Sequence, residues 1–159
     1  ALTYQRAILA LENYGYDRLI PLLGRKLFEA IGEKCVFVQQ YDPFTMAPST
    51  ITLKGEQDAY GPAMLSVLEY AARMYGVHIE GERLYWGSVS GNESTYEQQW
   101  GEHSFRIENY VDCAAAYVNG KKVFEAGPDL KVVTDLSGKI LSVLPLAEGA
   151  DCRKIAVYC

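Results

Sequence analysis

The dipeptide Asn119-Gly120 constrains this chain more than any other feature. It separates two β-rich runs, residues 111–118 and 121–124. A two-residue hairpin turn needs positive φ at both central positions, and Asn followed by Gly adopts that conformation readily. An antiparallel sheet is therefore expected in the C-terminal half. Gly127-Pro128-Asp129 marks the next turn, and residues 130–136 pair with 139–146 across Ser137-Gly138. Residues 77–89, 95–100 and 103–107 read as earlier strand-like pieces of the same half.

The N-terminal half follows the helical period instead. Leu2, Ile8, Leu9, Leu11 and Tyr14 recur at helical spacing, and Gly15 interrupts them. Asp17 is placed to cap a second helix, with Pro21 in its first turn and Gly32 just past its end. A strand over 35–41 runs into a loop at Asp42-Pro43, and a short strand over 50–53 follows. A third helix is expected over 58–75, striped by Tyr60, Met64, Val67, Leu68, Ala71 and Tyr75 and ended by Gly76. Helices first and an antiparallel sheet after them make an α+β fold. The length, 159 residues, suits a single domain over residues 1–159.

Twenty acidic against fifteen basic residues give a net charge of −5, which argues against a nucleic-acid partner. No uncharged apolar run reaches the ~18 residues of a membrane span. The cysteines are Cys35, Cys113, Cys152 and Cys159, without a CxxC pair, so zinc-ribbon and thioredoxin chemistry lose their signature. The first residue is Ala1 rather than Met, and Asn92-Glu93-Ser94 is a glycosylation acceptor. Together these features favour a secreted glycoprotein with disulfides among the four cysteines over an intracellular chain with buried thiols. One of the bridges would tether the tail, residues 147–159.

Two local phrases point further. Thr50-Ile-Thr-Leu-Lys-Gly55 before a helix, and Leu130-Lys-Val-Val-Thr-Asp-Leu-Ser-Gly-Lys-Ile140 as a late hairpin, resemble phrases of the NTF2-like (SnoaL-like, cystatin-like α+β cone) superfamily. The element order over roughly residues 3–146 resembles it too. The resemblance implies N-terminal helices packed in one strongly curved antiparallel sheet, with an apolar pocket at the open end of the cone. Some family members run isomerase or cyclase chemistry there, while others bind a hydrophobic molecule or another protein. A lipocalin-like barrel accommodates the helices less well, and no Gly-x-Trp opens its first strand.

Candidate residues follow from that picture. Twelve of nineteen aromatics are tyrosines, and a side chain with an apolar body and a polar tip suits a pocket for a flat, mostly apolar ligand. Tyr41, Phe44, Met64, Leu68, Tyr85, Trp86, Trp100, Phe105, Tyr117 and Phe124 are the expected lining. High β-propensity explains many of them equally well. His78 and His103 are the two histidines, and Asp112 interrupts an apolar run beside Cys113, so these are the acid–base candidates. Two histidines without spaced carboxylates make a poor metal site, and no metal or cofactor is expected. The leading expectation is a secreted binding protein for a small hydrophobic molecule such as a pigment, terpenoid or lipid-like compound. The alternatives are a proton-transferring isomerase or cyclase, and an interaction domain forming a homodimer through its sheet face.

Overall fold

The structure is a computed structural model that describes residues 2–42, 44–45, 47–49, 60–89, 91 and 93–158. The fold is α+β, and the chain divides into two compact units, Ala1–Ala71 and Ala72–Cys159.

The first unit is helical. It contains α1 (Leu2–Asn13), α2 (Leu19–Lys34) and the first part of α3 (Gly61–Tyr75). Ile8, Ile20, Leu27, Val38, Val67 and Tyr70 form its buried interior. The Tyr70 hydroxyl donates to the Ile20 carbonyl at 3.0 Å, and Gln5 donates to Glu69. Arg18, not Asp17, occupies the N-cap position of α2, and no side chain caps it. The preceding turn already curls the backbone, so the first free N–H groups find the Tyr16 and Asp17 carbonyls at 3.0 Å. Gly32 lies inside α2 rather than beyond it. The helix runs on to Lys34 and closes through Cys35, at φ 52°, whose N–H bonds the Ile31 carbonyl.

The strand expected over 35–41 is not formed. In its place Tyr41 makes an isolated antiparallel bridge to Pro48, flanked by bonds from Asp42 N–H to Ala47 and from Ser49 N–H to Gln40. A β-rich run without a laddered neighbour stays irregular. The strand and junction expected at 50–55, the start of a helix at 58, Asn92 and Cys159 lie outside the described residues.

The second unit is built from β1 (Val77–Glu80), β2 (Arg83–Ser88), β3 (Ser94–Trp100), β4 (His103–Asn109), β5 (Ala114–Val118), β6 (Lys121–Ala126), β7 (Leu130–Asp135), β8 (Ile140–Pro145) and β9 (Ile155–Val157). All pairings are antiparallel. The described strands form two sheets rather than one, in the orders β1-β2-β7-β8 and β3-β4-β5-β6-β9. One apolar cluster is shared between them. Trp86 of the first sheet meets Phe105 and Phe124 of the second edge-on, with ring centroids 6.4 and 5.7 Å apart. Alternation along β4 explains the arrangement: Phe105, Ile107 and Asn109 are buried, while Ser104, Arg106 and Glu108 face outward.

Two local features hold this unit in register. Gly76 ends α3 at φ +95°, and a side chain there would place its Cβ 2.3 Å from the Gly87 carbonyl oxygen, so only glycine fits. The tail is held by hydrogen bonds. β9 pairs with β6, Gly127 N–H reaches the Lys154 carbonyl, and Tyr158 N–H reaches Val123. Cys35, Cys113 and Cys152 are free thiols, so no disulfide among the described residues does the tethering.

Candidate ligand-binding site

The β5–β6 turn and the β7–β8 turn of the second unit border an open cavity of about 540 Å³. Val118, Val123 and Leu136 give it an apolar body, and His103, Asn119, Lys121 and Ser137 give it a polar rim. That size lies within the range of small-molecule pockets.

The sequence builds the walls directly. Asn119 and Gly120 take φ 51° and 75°, as the hairpin signal requires. Asn119 then ties the hairpin to β4: its N–H bonds the Ser104 carbonyl at 2.8 Å, and its Oδ1 accepts from the Ser104 N–H at 2.9 Å. On the opposite wall, Asp135 Oδ1 accepts from Ser137 N–H (2.9 Å), the Ser137 hydroxyl (2.6 Å) and Lys139 N–H (3.0 Å). The Ser137 hydroxyl, followed by the two backbone donors, holds the Asp135 carboxyl below its ordinary range. Gly138 lets this turn close onto Val123, whose Cγ1 would lie 2.7 Å from an added Cβ.

His103 stands at the rim, its ring stacked on Phe105 at 6.1 Å and its Nδ1 3.4 Å from the Asn119 amide nitrogen. An Nδ1 that accepts from this amide leaves the ring proton on Nε2. β3 and β4 pair Trp100 directly with His103, so the 47% exposed indole stands beside the rim on the same face.

The other expected lining residues are dispersed. Trp86, Phe105 and Phe124 fill the space between the sheets and are at most 1% exposed. Tyr85 stacks on His78 at 5.1 Å. Tyr41, Phe44, Met64 and Leu68 belong to the first unit, where Phe44 is 93% exposed and Met64 and Leu68 are exposed on α3.

Tyr117 lies on the outer face of the second sheet, within a polar network that was not expected. Its hydroxyl and that of Tyr110 both donate to Glu108 Oε2, at 3.1 and 2.8 Å, and the Arg106 guanidinium covers the Tyr117 ring at 4.3 Å. The Tyr110 hydroxyl, and then that of Tyr117, lower the Glu108 carboxyl pKa, although partial burial opposes them. Lys122 pairs with Glu125 at 2.6 Å and lies over Tyr158. The legible signal was the alternation Ser104, Arg106, Glu108.

The acid–base candidates occupy three separate places. His78 is buried, with Nε2 3.2 Å from an Arg73 nitrogen and 3.7 Å from Glu80 Oε1. Burial first, then the Arg73 and Lys131 charges, push it down to about 3, so it is neutral at physiological pH. Asp112 and Cys113 line a different groove of about 490 Å³ with Glu125, Arg153 and Lys154. Burial, then Glu125 and Asp112, raise the Cys113 thiol, which opposes a nucleophilic thiolate. Arg153 is held bidentately by Asp151 at 2.9 and 3.1 Å, and the carboxylate falls to about 2. His103 and Asp112 flank opposite ends of β4, and six extended steps separate their ends by about 20 Å. They do not converge on one substrate.

No protein-family model, curated protein or solved structure matches the chain.

Proposed function

We propose that the second unit binds one small, largely apolar molecule carrying a single polar group, in the cavity between the β5–β6 and β7–β8 turns. A pigment fragment, a terpenoid or a lipid-like compound has that character. The observation that carries this reading is the cavity itself: an apolar body of Val118, Val123 and Leu136 under a rim of hydrogen-bonding groups. The ligand-binding role implied by the cone resemblance is kept, but its place moves from the mouth of one curved sheet to the turn end of two sheets. The separation of His103 from Asp112 weighs against an acid–base pair made of these two residues at one reacting centre. A secreted location belongs to the same reading and rests on the glycosylation tripeptide.

β-Ionone, a terpenoid ketone with one acceptor, is a suitable probe. Calorimetric titration should give a single site on the native chain. Leu136→Trp fills the cavity from a half-buried position and should weaken binding at least about tenfold, while Tyr117→Phe on the outer face should leave it unchanged. Binding that ignores Leu136→Trp would move the ligand elsewhere.

A further inference from the structure

The polar rim of the cavity is one-sided in its chemistry. Its lining holds one permanent cation, Lys121, and no carboxylate, in a chain where acids outnumber bases by twenty to fifteen. β5 pairs Val118 directly with Lys121, so the two side chains share a face of the sheet, and Val118 belongs to the apolar body of the cavity. Lys121 is exposed and forms no ion pair with a described residue. Its neighbour Lys122 is on the other face, across from Tyr117, and is held by Glu125 at 2.6 Å.

The acids of the neighbouring turns do not supply the opposite charge. Asp135 Oδ1 accepts from Ser137 and Lys139 within its own turn, and Asp135 is not part of the lining. Glu102 precedes His103 in the chain, is exposed, and is outside the lining as well. Asn119 and His103 add donors to the rim. Asn119 Oδ1 is occupied by the Ser104 N–H, and one amide hydrogen faces His103 Nδ1 at 3.4 Å. The second amide hydrogen and the His103 Nε2–H have no acceptor among the described residues.

We propose that the polar group of the ligand is a carboxylate, so that the cavity takes a monocarboxylic acid with an apolar tail. The head lies beside the Lys121 ammonium, with His103 and Asn119 as hydrogen-bond donors, and the tail lies against Val118, Val123 and Leu136. This inference rests on the cavity reading above and narrows it to one ligand class. A single permanent cation matches a single negative charge. A phosphate monoester carries about −1.5 to −2 at neutral pH and would leave part of its charge uncompensated here. An exposed ion pair contributes up to about fivefold, and hydrogen bonds to a charged acceptor contribute further, so an acid should bind at least about tenfold more tightly than its uncharged ester.

The test is calorimetric titration of the full chain at neutral pH and low salt with geranic acid and with methyl geranate, which share one terpenoid skeleton and differ in charge. The ratio of the two affinities is read within each protein, so that a general loss of binding cancels. The ratio should be at least about tenfold in the native chain, should fall below about threefold in Lys121→Met, and should be kept in Lys121→Arg. Lys154→Met, which removes an exposed cation that does not line this cavity, should keep it too. Molar salt should shrink the advantage of the acid. Equal affinities for acid and ester, an acid preference that survives Lys121→Met, or tighter binding of geranyl phosphate than of geranic acid would each overturn the carboxylate assignment while leaving an apolar site in place. Failure of the acid, the ester and β-ionone alike to bind would overturn both this inference and the cavity reading.

Discussion

Trp86 Nε1–H donates to Thr134 Oγ1 at 2.9 Å, and the two residues are 1% and 0% exposed. Thr134→Val keeps the shape and removes the acceptor. The indole N–H is then buried without a partner, a penalty of about 1–3 kcal/mol. The Thr134 hydroxyl also donates to the Asp135 carbonyl at 2.8 Å, and that bond is lost as well. The added methyl group offsets part of the loss, which leaves an expected destabilisation of about 1–2 kcal/mol. Trp86→Phe removes the donor and opens a cavity against Phe105 and Phe124, so it is costly alone. In that background Thr134→Val should cost only what the lost Asp135 bond costs, because no N–H remains to be stranded. Urea unfolding of the four proteins, followed by far-UV circular dichroism, closes the cycle. A coupling of about 1–2 kcal/mol is expected. A coupling under about 0.3 kcal/mol, or a stabilised Thr134→Val, would refute the assignment of that hydrogen bond as the feature that fixes Trp86 between the sheets.

Other expectations follow from single sites. Gly76→Ala combines positive φ with a clash against the Gly87 carbonyl, so it should destabilise by about 3 kcal/mol or more, read as a lowered urea midpoint. His78 gives a pH dependence of definite sign. Its native pKa of about 3 lies below its ordinary 6.5, so the unfolded chain takes a proton that the native state refuses. Its contribution is complete above pH 6.5 and is lost as pH falls toward 3, at up to about 1.4 kcal/mol per pH unit. Wild type minus His78→Gln, measured at two pH values between those limits, isolates it, and equal slopes would contradict the burial of a neutral ring. Ala156→Pro deletes a β6–β9 ladder donor and should free the tail, seen as faster tryptic cleavage at Arg153 and Lys154 with the rest of the unit intact.

Much of the second unit is legible because its instructions are local. Asn119-Gly120 and Ser137-Gly138 set two hairpins, and each lies where the sequence places it. The sheet partition is not legible, because alternation tells which side of a strand is buried and not which strand lies beside it. β2 and β7 are far apart in sequence yet pair along six residues, and no local pattern encodes that. The same limit dispersed the aromatic set. Trp86 and Phe124 have pocket-like chemistry, but they lie on facing sheets and fill the gap between them. In the first unit, Gly32 and Asp17 carry ordinary cap signals that the neighbouring turn and Cys35 override. His103 is singled out in the sequence only as an acid–base candidate, and Leu136 is not singled out at all, because its place beside the same cavity depends on a turn folding back toward Val123.

Methyl-resolved NMR on the native chain, titrated with β-ionone, reports on the cavity most directly. Val118, Val123 and Leu136 should shift together and saturate on one isotherm, with the backbone amides of Asn119 and Ser137 following the same curve. Shifts confined to other methyl groups, or none at ligand saturation, would contradict a binding site between these two turns.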